Sequence, residues 1–311
     1  MSMGFWKTLF QVCSGTDVFL RLTECRFGKA LFHLIVLMVL LSLMLAWGHS
    51  CIAGPRIRSV CHTLFAEIGS LRFTPEGIRT AGNPGVKQSY LLDDRFRFDY
   101  YPGDSLSEKD VRNWTTTPSG VIVMDNGLVL WLENSAGSGE GKYMIAPLML
   151  DANPMKTETV RSGLTGGELY RYLKNSLVRR SGQTLHFILP EADEKLVAEY
   201  LMTCFALMVF LGSLASMFLL MFLTVLFFSF LQYVWNFSQE RRLAFRQILV
   251  VLIYAAFPAL TAAALYSFFM IPLILPQTVF FVIYLIYYMV VFRKIRLMLN
   301  PPDAVPPEDD F

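Results

Sequence analysis

The stretch LMTCFALMVFLGSLASMFLLMFLTVLFFSFLQYVW, residues 201–235, runs for 35 residues without a formal charge. A bilayer core about 30 Å thick takes roughly 20 helical residues per crossing. The stretch is therefore too long for one crossing and too short for two joined by a proper turn. How often it crosses fixes the topology of the chain.

The surrounding composition sets the frame. The chain has 311 residues, 54% of them hydrophobic, and a mean hydropathy of +0.45. That is too apolar for an ordinary soluble domain. Formal charge is absent from residues 30–55, 200–239 and 247–292. Residues 50–195, in contrast, carry 17 basic and 17 acidic side chains, a net charge of zero. A neutral domain offers no basic face for nucleic acid, and none is expected as a partner.

Flanking charge orients the spans. Arg21, Arg26 and Lys29 precede the apolar run that begins at Ala30. Short basic segments next to spans stay in the cytoplasm, which places the N-terminus there. A cleaved leader is the rival reading, but the apolar run exceeds a usual signal core, and Trp47 and His49 suit a lipoprotein site poorly. Arg241, Arg242 and Arg246 follow the opening stretch, and Arg293, Lys294 and Arg296 follow the last apolar run. Both clusters belong in the cytoplasm by the same rule. One crossing by 201–235 satisfies this parity and two crossings do not. The 46 uncharged residues 247–292 then cross twice, with a break near Pro272 and Pro276.

The expected fold is an α-helical membrane protein with four transmembrane helices and an inserted extracytoplasmic α+β domain built on an antiparallel sheet. Its divisions are an interfacial segment at 1–28, a first transmembrane helix at 29–49, the α+β domain at 50–195 and a long second transmembrane helix at 196–235. A cytoplasmic basic loop at 236–247, transmembrane helices at 248–269 and 275–292, and a cytoplasmic tail at 293–311 complete the chain. The stretch 201–235, about 52 Å long as one helix at ~1.5 Å per residue, rises into the domain from near Pro190, or bends at Gly212-Ser213. Phe5, Trp6, Leu9 and Phe10 give the N-terminal segment either an interfacial face or a face that packs on the spans.

Within the domain, apolar residues at helical spacing from Ile57 to Ile68 predict a helix after Gly54-Pro55. LRFTPEGIR and SYLLDDRFRFDYY predict strand pairs, and GVIVMDNGLVLWLEN predicts a hairpin turning at Asn-Gly. KYMIAPLML adds a strand, TGGELYRYLKNSLV a helix capped near Thr165, and TLHFILP a last strand. Five or six strands follow from this count.

RFGKALFHLIVLMVLLSL, the inserted domain and ERRLAFRQILVVLIYAAFPAL, with its Tyr254-x-x-x-Pro258 spacing, resemble an uncharacterised bacterial polytopic membrane family. Some members of that family are labelled maltodextrin-utilisation proteins. The C-terminal half also resembles the Yip-domain membrane family. The resemblance implies a bacterial cytoplasmic (inner) membrane protein of unknown activity and supplies no catalytic residues; the flanking basic clusters put both termini in the cytoplasm.

Chemistry-bearing residues are few. The described motifs of hydrolases, zinc sites and phosphate loops are missing, so no catalytic, cofactor or metal residue is assigned. Asp93, Asp94 and Asp99 sit at a predicted turn and strand edge, which favours solvated carboxylates over a metal site. His33 in the first span is expected to hydrogen-bond between helices rather than relay protons. Gly212 with Ser216, and Ala255, Ala259 and Ala263 beside Pro258, are small-residue series suited to close helix packing. Cys51 and Cys61 would be too far apart on one continuous helix, but a break at Gly54-Pro55 permits a disulfide between them. The functional expectation is a non-enzymatic membrane sensor or accessory protein, whose outer domain binds a partner or solute, linked to carbohydrate uptake. A permease component and a membrane-bound hydrolase or transferase are the alternatives. The expected partners are the lipid bilayer and another membrane protein or a second copy.

Overall fold

A computed structural model describes residues 4–83, 85–93, 96–113, 117–134, 142–149, 161–178, 184–186, 190–236, 243–269 and 273–299. Four helices in it are long and apolar enough to cross a membrane, as in a multi-pass membrane protein. The chain divides into two units, one formed by residues 1–53 and 203–311 and the other by residues 54–202.

The helical unit opens with α1 (Phe5–Ser14) and α2 (Phe19–Leu22). It continues with parts of α3 (Phe27–Ile68) and α6 (Glu194–Asn236), and all of α7 (Phe245–Phe268) and α8 (Pro276–Leu299). Helix α7 is apolar all round, and a helix of that kind belongs in the centre of a bundle. Every residue from Val250 to Phe257 is buried. Around it pack Leu34, Leu37 and Leu41 of α3, Met221 of α6 and Phe280, Tyr284 and Val291 of α8. Helix α1 divides its apolar residues. Phe5 and Leu9 pack on this core, whereas Trp6 and Phe10 remain exposed.

Two expectations about helix ends need correction. Helix α3 does not stop at Gly54-Pro55 but passes through both. Proline removes one backbone donor, and the turns on either side hold the helix through that loss. The stop comes at Gly69, whose φ of +72° is the left-handed conformation that ends helices; its N–H donates to the Phe65 carbonyl at 2.9 Å. Helix α6 begins at Glu194 rather than near Pro190. Asp193 caps it, accepting from the Leu196 N–H at 2.9 Å. From there α6 runs unbroken through Gly212 and Ser213, so the bend at that pair is not found.

Among the described residues the second unit carries nine strands in two sheets, more than the sequence count. β1 (Leu71–Thr74) pairs with β2 (Gly77–Thr80) and with β9 (Glu191–Ala192). The six-stranded sheet follows chain order: β3 (Gln88–Asp93), β4 (Phe96–Tyr100), β5 (Ser119–Met124), β6 (Gly127–Asn134), β7 (Lys142–Met149) and β8 (Arg161–Leu164). It is not wholly antiparallel, because β4 and β5 run parallel. Parallel neighbours need a crossover of a dozen or more residues. Residues 101–118, which include α4 (Glu108–Asn113), supply it.

Period-two alternation divides the sheet into two faces. Ile122, Val129, Trp131, Tyr143 and Ile145 face α5 (Gly166–Ser176) through Leu169 and Leu173. Phe98, Tyr100 and Val123 face the other way, onto Cys61, Phe65 and Ile68 of α3 and Ile78 of β2. This second face is covered only in part, and Leu130 and Leu132 on β6 stay 48% and 47% exposed. The β5–β6 hairpin also differs in detail. Met124 pairs with Gly127, so the loop is Asp125-Asn126 and Gly127 is already in the strand. Of TLHFILP, residues 184–186 form no strand and residues 187–189 lie outside the described residues.

Thr165 caps α5 as expected. Its Oγ1 accepts from the Glu168 N–H at 3.4 Å, and Glu168 Oε2 accepts from the Thr165 N–H at 2.9 Å. This reciprocal pair satisfies two donors that the first helical turn leaves open. It also holds the Glu168 carboxyl below the usual carboxylate range. Thr165→Ala is expected to destabilise the unit by about 1 kcal/mol, read as faster amide exchange over residues 166–170; unchanged exchange there would mean the cap is dispensable.

Candidate functional site

Side chains at the C-terminal ends of α6 and α8 frame a cavity in the helical unit. On α8 the lining residues recur at helical spacing, Leu285, Met289, Phe292, Ile295 and Leu299, so one stripe of the helix faces one space. Phe228, Leu231 and Trp235 do the same on α6. The cavity holds ≈ 420 Å³, within the range of small-molecule sites. At one end the two helices meet: the Phe228 ring lies 5.2 Å from Tyr284 and 4.7 Å from Tyr288. The Tyr288 hydroxyl donates to Gln232 Oε1 at 3.0 Å. Toward the other end lie Arg293 and Arg296. They are three residues apart on one helix and therefore neighbours on its surface. Among the described residues neither arginine has an ion-pair partner, whereas Lys294 between them pairs with Asp17. The sequence analysis used these arginines only to orient the chain. Their spacing relative to Phe292, Ile295 and Leu299 is the signal that marks a lined groove.

Polar side chains inside the bundle bond mostly to backbone carbonyls, as Ser229 does to Leu226 and Tyr284 to Leu252, and a buried pair joins two side chains across helices. His33 is buried, and its Nδ1 lies 3.1 Å from the Tyr254 hydroxyl on α7. This is the interhelical bond anticipated for it. Pro258 lies inside α7. With no N–H of its own, it leaves the Tyr254 carbonyl without the usual helical donor. One turn on, Thr261 Oγ1 donates to the Phe257 carbonyl at 2.8 Å. The spacing Tyr254-x-x-x-Pro258 therefore marks one locally opened turn. Such turns are tolerated where neighbouring helices close around them.

The small-residue series separate into two outcomes. Ala255 and Ala259 are fully buried and Ala263 nearly so, so this series packs inside the bundle. Gly212 and Ser216 are both exposed, and a Cβ on Gly212 would meet nothing within 4 Å. The expected packing is therefore not found for Gly212, whereas Ser216 borders a small cavity shared with Leu45 of α3 and Leu260 of α7. The disulfide expectation changes as well. With α3 continuous, Cys51 and Cys61 stand ten residues apart on one helix and both are free. That spacing corresponds to about 15 Å, beyond the reach of a disulfide.

In the sheet-bearing unit the charged residues form buried pairs that the sequence did not disclose. Asp99 is not a solvated edge carboxylate. β4 has neighbours on both sides, and Asp99 is fully buried, 2.9 Å from Arg97 Nε. Burial raises its pKa against the opposing pull of Ser89 and Arg97. The Asp93 side chain and Asp94 lie outside the described residues. Asp110 shows the opposite balance. Burial disfavours its charge, but bonds from Lys87 and Ser107 prevail and lower its pKa. A further enclosed pair joins Arg79 on β2 to Asp125 in the β5–β6 loop, with Asp125 only 2% exposed. Asp125 Oδ1 also accepts from the Gly103 N–H at 3.1 Å. Among the described residues no three His, Cys, Asp or Glu side chains converge as a metal set. These pairs join β2 to the β5–β6 loop, residues of β4 to one another, and Lys87 to α4. Comparison of the chain with protein-family models, with curated proteins and with solved structures returned no match.

Proposed function

We propose that the chain is a non-enzymatic sensor or accessory protein of a bacterial cytoplasmic membrane, with its α+β unit outside the cytoplasm and bound there to a partner or solute. The observation that carries this reading is the unfinished face of the six-stranded sheet. One face is closed by α5, whereas the other leaves Leu130 and Leu132 about half exposed beside Met144 at 39%. Neighbouring apolar side chains on a sheet suit a contact with another protein. Two further features agree with it. The charged pairs of this unit are tied into structural contacts, and α6 contributes residues to both units as one helix. A link to carbohydrate uptake rests on the family resemblance of the sequence.

Two measurements test the proposal. Reporter fusions near residue 137 are expected to be extracytoplasmic, and fusions at residue 242 and at the C-terminus cytoplasmic. An extracytoplasmic signal at 242 overturns the topology. A photo-crosslinker at Met144, opposite Leu132 on the same face, is expected to capture one protein or solute that Leu130→Ser with Leu132→Ser releases. Transport of a solute by the purified chain alone in liposomes would instead support the permease reading.

A further inference from the structure

The groove between α6 and α8 combines three features that belong together only in an amphiphile site. Its walls are apolar along Leu285, Met289 and Phe292. It is closed at one end by Phe228 against Tyr284 and Tyr288. Two arginines without ion-pair partners among the described residues stand toward its other end. From these we propose that the groove is a binding site for one anionic phospholipid, with an acyl chain along the apolar wall and the phosphate at Arg293 and Arg296.

Each part of the ligand answers a feature of the protein. An acyl chain finds an apolar channel in a cavity of ≈ 420 Å³. A phosphate finds two guanidiniums three residues apart, each able to offer paired N–H donors. Trp235 lines the same cavity, and tryptophan favours the level of the headgroups. No acidic residue is among the described lining residues. The ammonium of a zwitterionic headgroup would therefore meet two like charges and no counter-charge, whereas an extra negative charge is accommodated. Basic pockets between spans on the cytoplasmic side have this selectivity for the same physical reason. Lys294 does not share the task, because it is engaged with Asp17.

The site goes beyond the sensor reading and can fail without it. The test is native mass spectrometry of the full chain in detergent, titrated with phosphatidylglycerol and with phosphatidylcholine of matched acyl chains. Retention of phosphatidylglycerol is expected to exceed that of phosphatidylcholine by roughly thirtyfold, from two cationic contacts. Arg293→Gln with Arg296→Gln should bring the two lipids to parity. Met289→Trp, which fills the exposed wall of the groove, should lower retention of both. Equal retention by the parent, or a preference unchanged in the double variant, overturns the proposal. Displacement of the lipid by excess inorganic phosphate also overturns it, since the site would then recognise the free anion. A preference that appears only after Glu308→Gln, Asp309→Asn and Asp310→Asn would name the chain's own acidic tail as the occupant and overturn it equally.

Discussion

Asp125→Ala is expected to destabilise the sheet-bearing unit by about 3 kcal/mol, the low end for removing one partner of a buried ion pair. Three interactions meet at this residue. Its side chain accepts from Arg79 and from the Gly103 N–H. Its carbonyl accepts from the Ile78 N–H at 3.1 Å, a bond the substitution leaves in place. Losing the carboxylate leaves the Arg79 guanidinium, only 25% exposed, without its counter-charge, and leaves the Gly103 donor unpaired. The neighbourhood has little room to adjust. Gly77 has φ +124°, and a Cβ there would stand 2.8 Å from the Asp125 Cβ. Asp125→Asn keeps an acceptor of the same shape and should cost about 1 kcal/mol. Denaturant unfolding in detergent, with amide exchange at Ile78 and Gly103 as local probes, measures both. Equal losses for Ala and Asn would show that the charge, which both substitutions remove, carries the whole effect, and no loss for Ala would remove the clamp altogether.

The clamp was not legible in the sequence, for a physical reason. Arg79 and Asp125 are 46 positions apart, and only the packing of β2 on the end of the β5–β6 hairpin brings them together. Local patterns were legible. The uncharged runs disclosed four helices, Thr165-x-x-Glu168 disclosed the cap of α5, and alternation around Asp125-Asn126 disclosed a hairpin. The misreadings came where a local signal competed with its context. Gly54-Pro55 has the composition of a helix stop, yet α3 continues to a stronger one, Gly69 with a left-handed backbone. Asp99 has the composition of an edge, yet the parallel crossover from β4 to β5 places it in mid-sheet. The groove at Arg293 and Arg296 shows the limit from another side. The charges were read correctly as a cluster, but only their position relative to α6 makes them part of a cavity.

Ala259→Leu and Gly212→Leu are expected to act in opposite directions, although both enlarge a small residue in an apolar helix. Ala259 is fully buried on the central helix α7, where the series Ala255, Ala259 and Ala263 lets neighbouring helices approach closely. A leucine there has no space and must displace packed side chains, at a cost of about 1–3 kcal/mol. Gly212 lies in α6, the span with the smallest buried share of its apolar window at 17%, and a side chain there meets open space. Relieving a helix-interior glycine favours the helix by about 1 kcal/mol, so Gly212→Leu should be neutral or stabilising in detergent. Thermal unfolding of both variants, with oligomeric state followed by size-exclusion chromatography, provides the measurement. An Ala259→Leu chain as stable as the parent would mean that α7 does not pack as the centre of the bundle. A Gly212→Leu chain that loses stability together with an oligomeric form would identify the exposed face of α6 as covered by a second copy, with Gly212 and Ser216 packing between chains rather than within one.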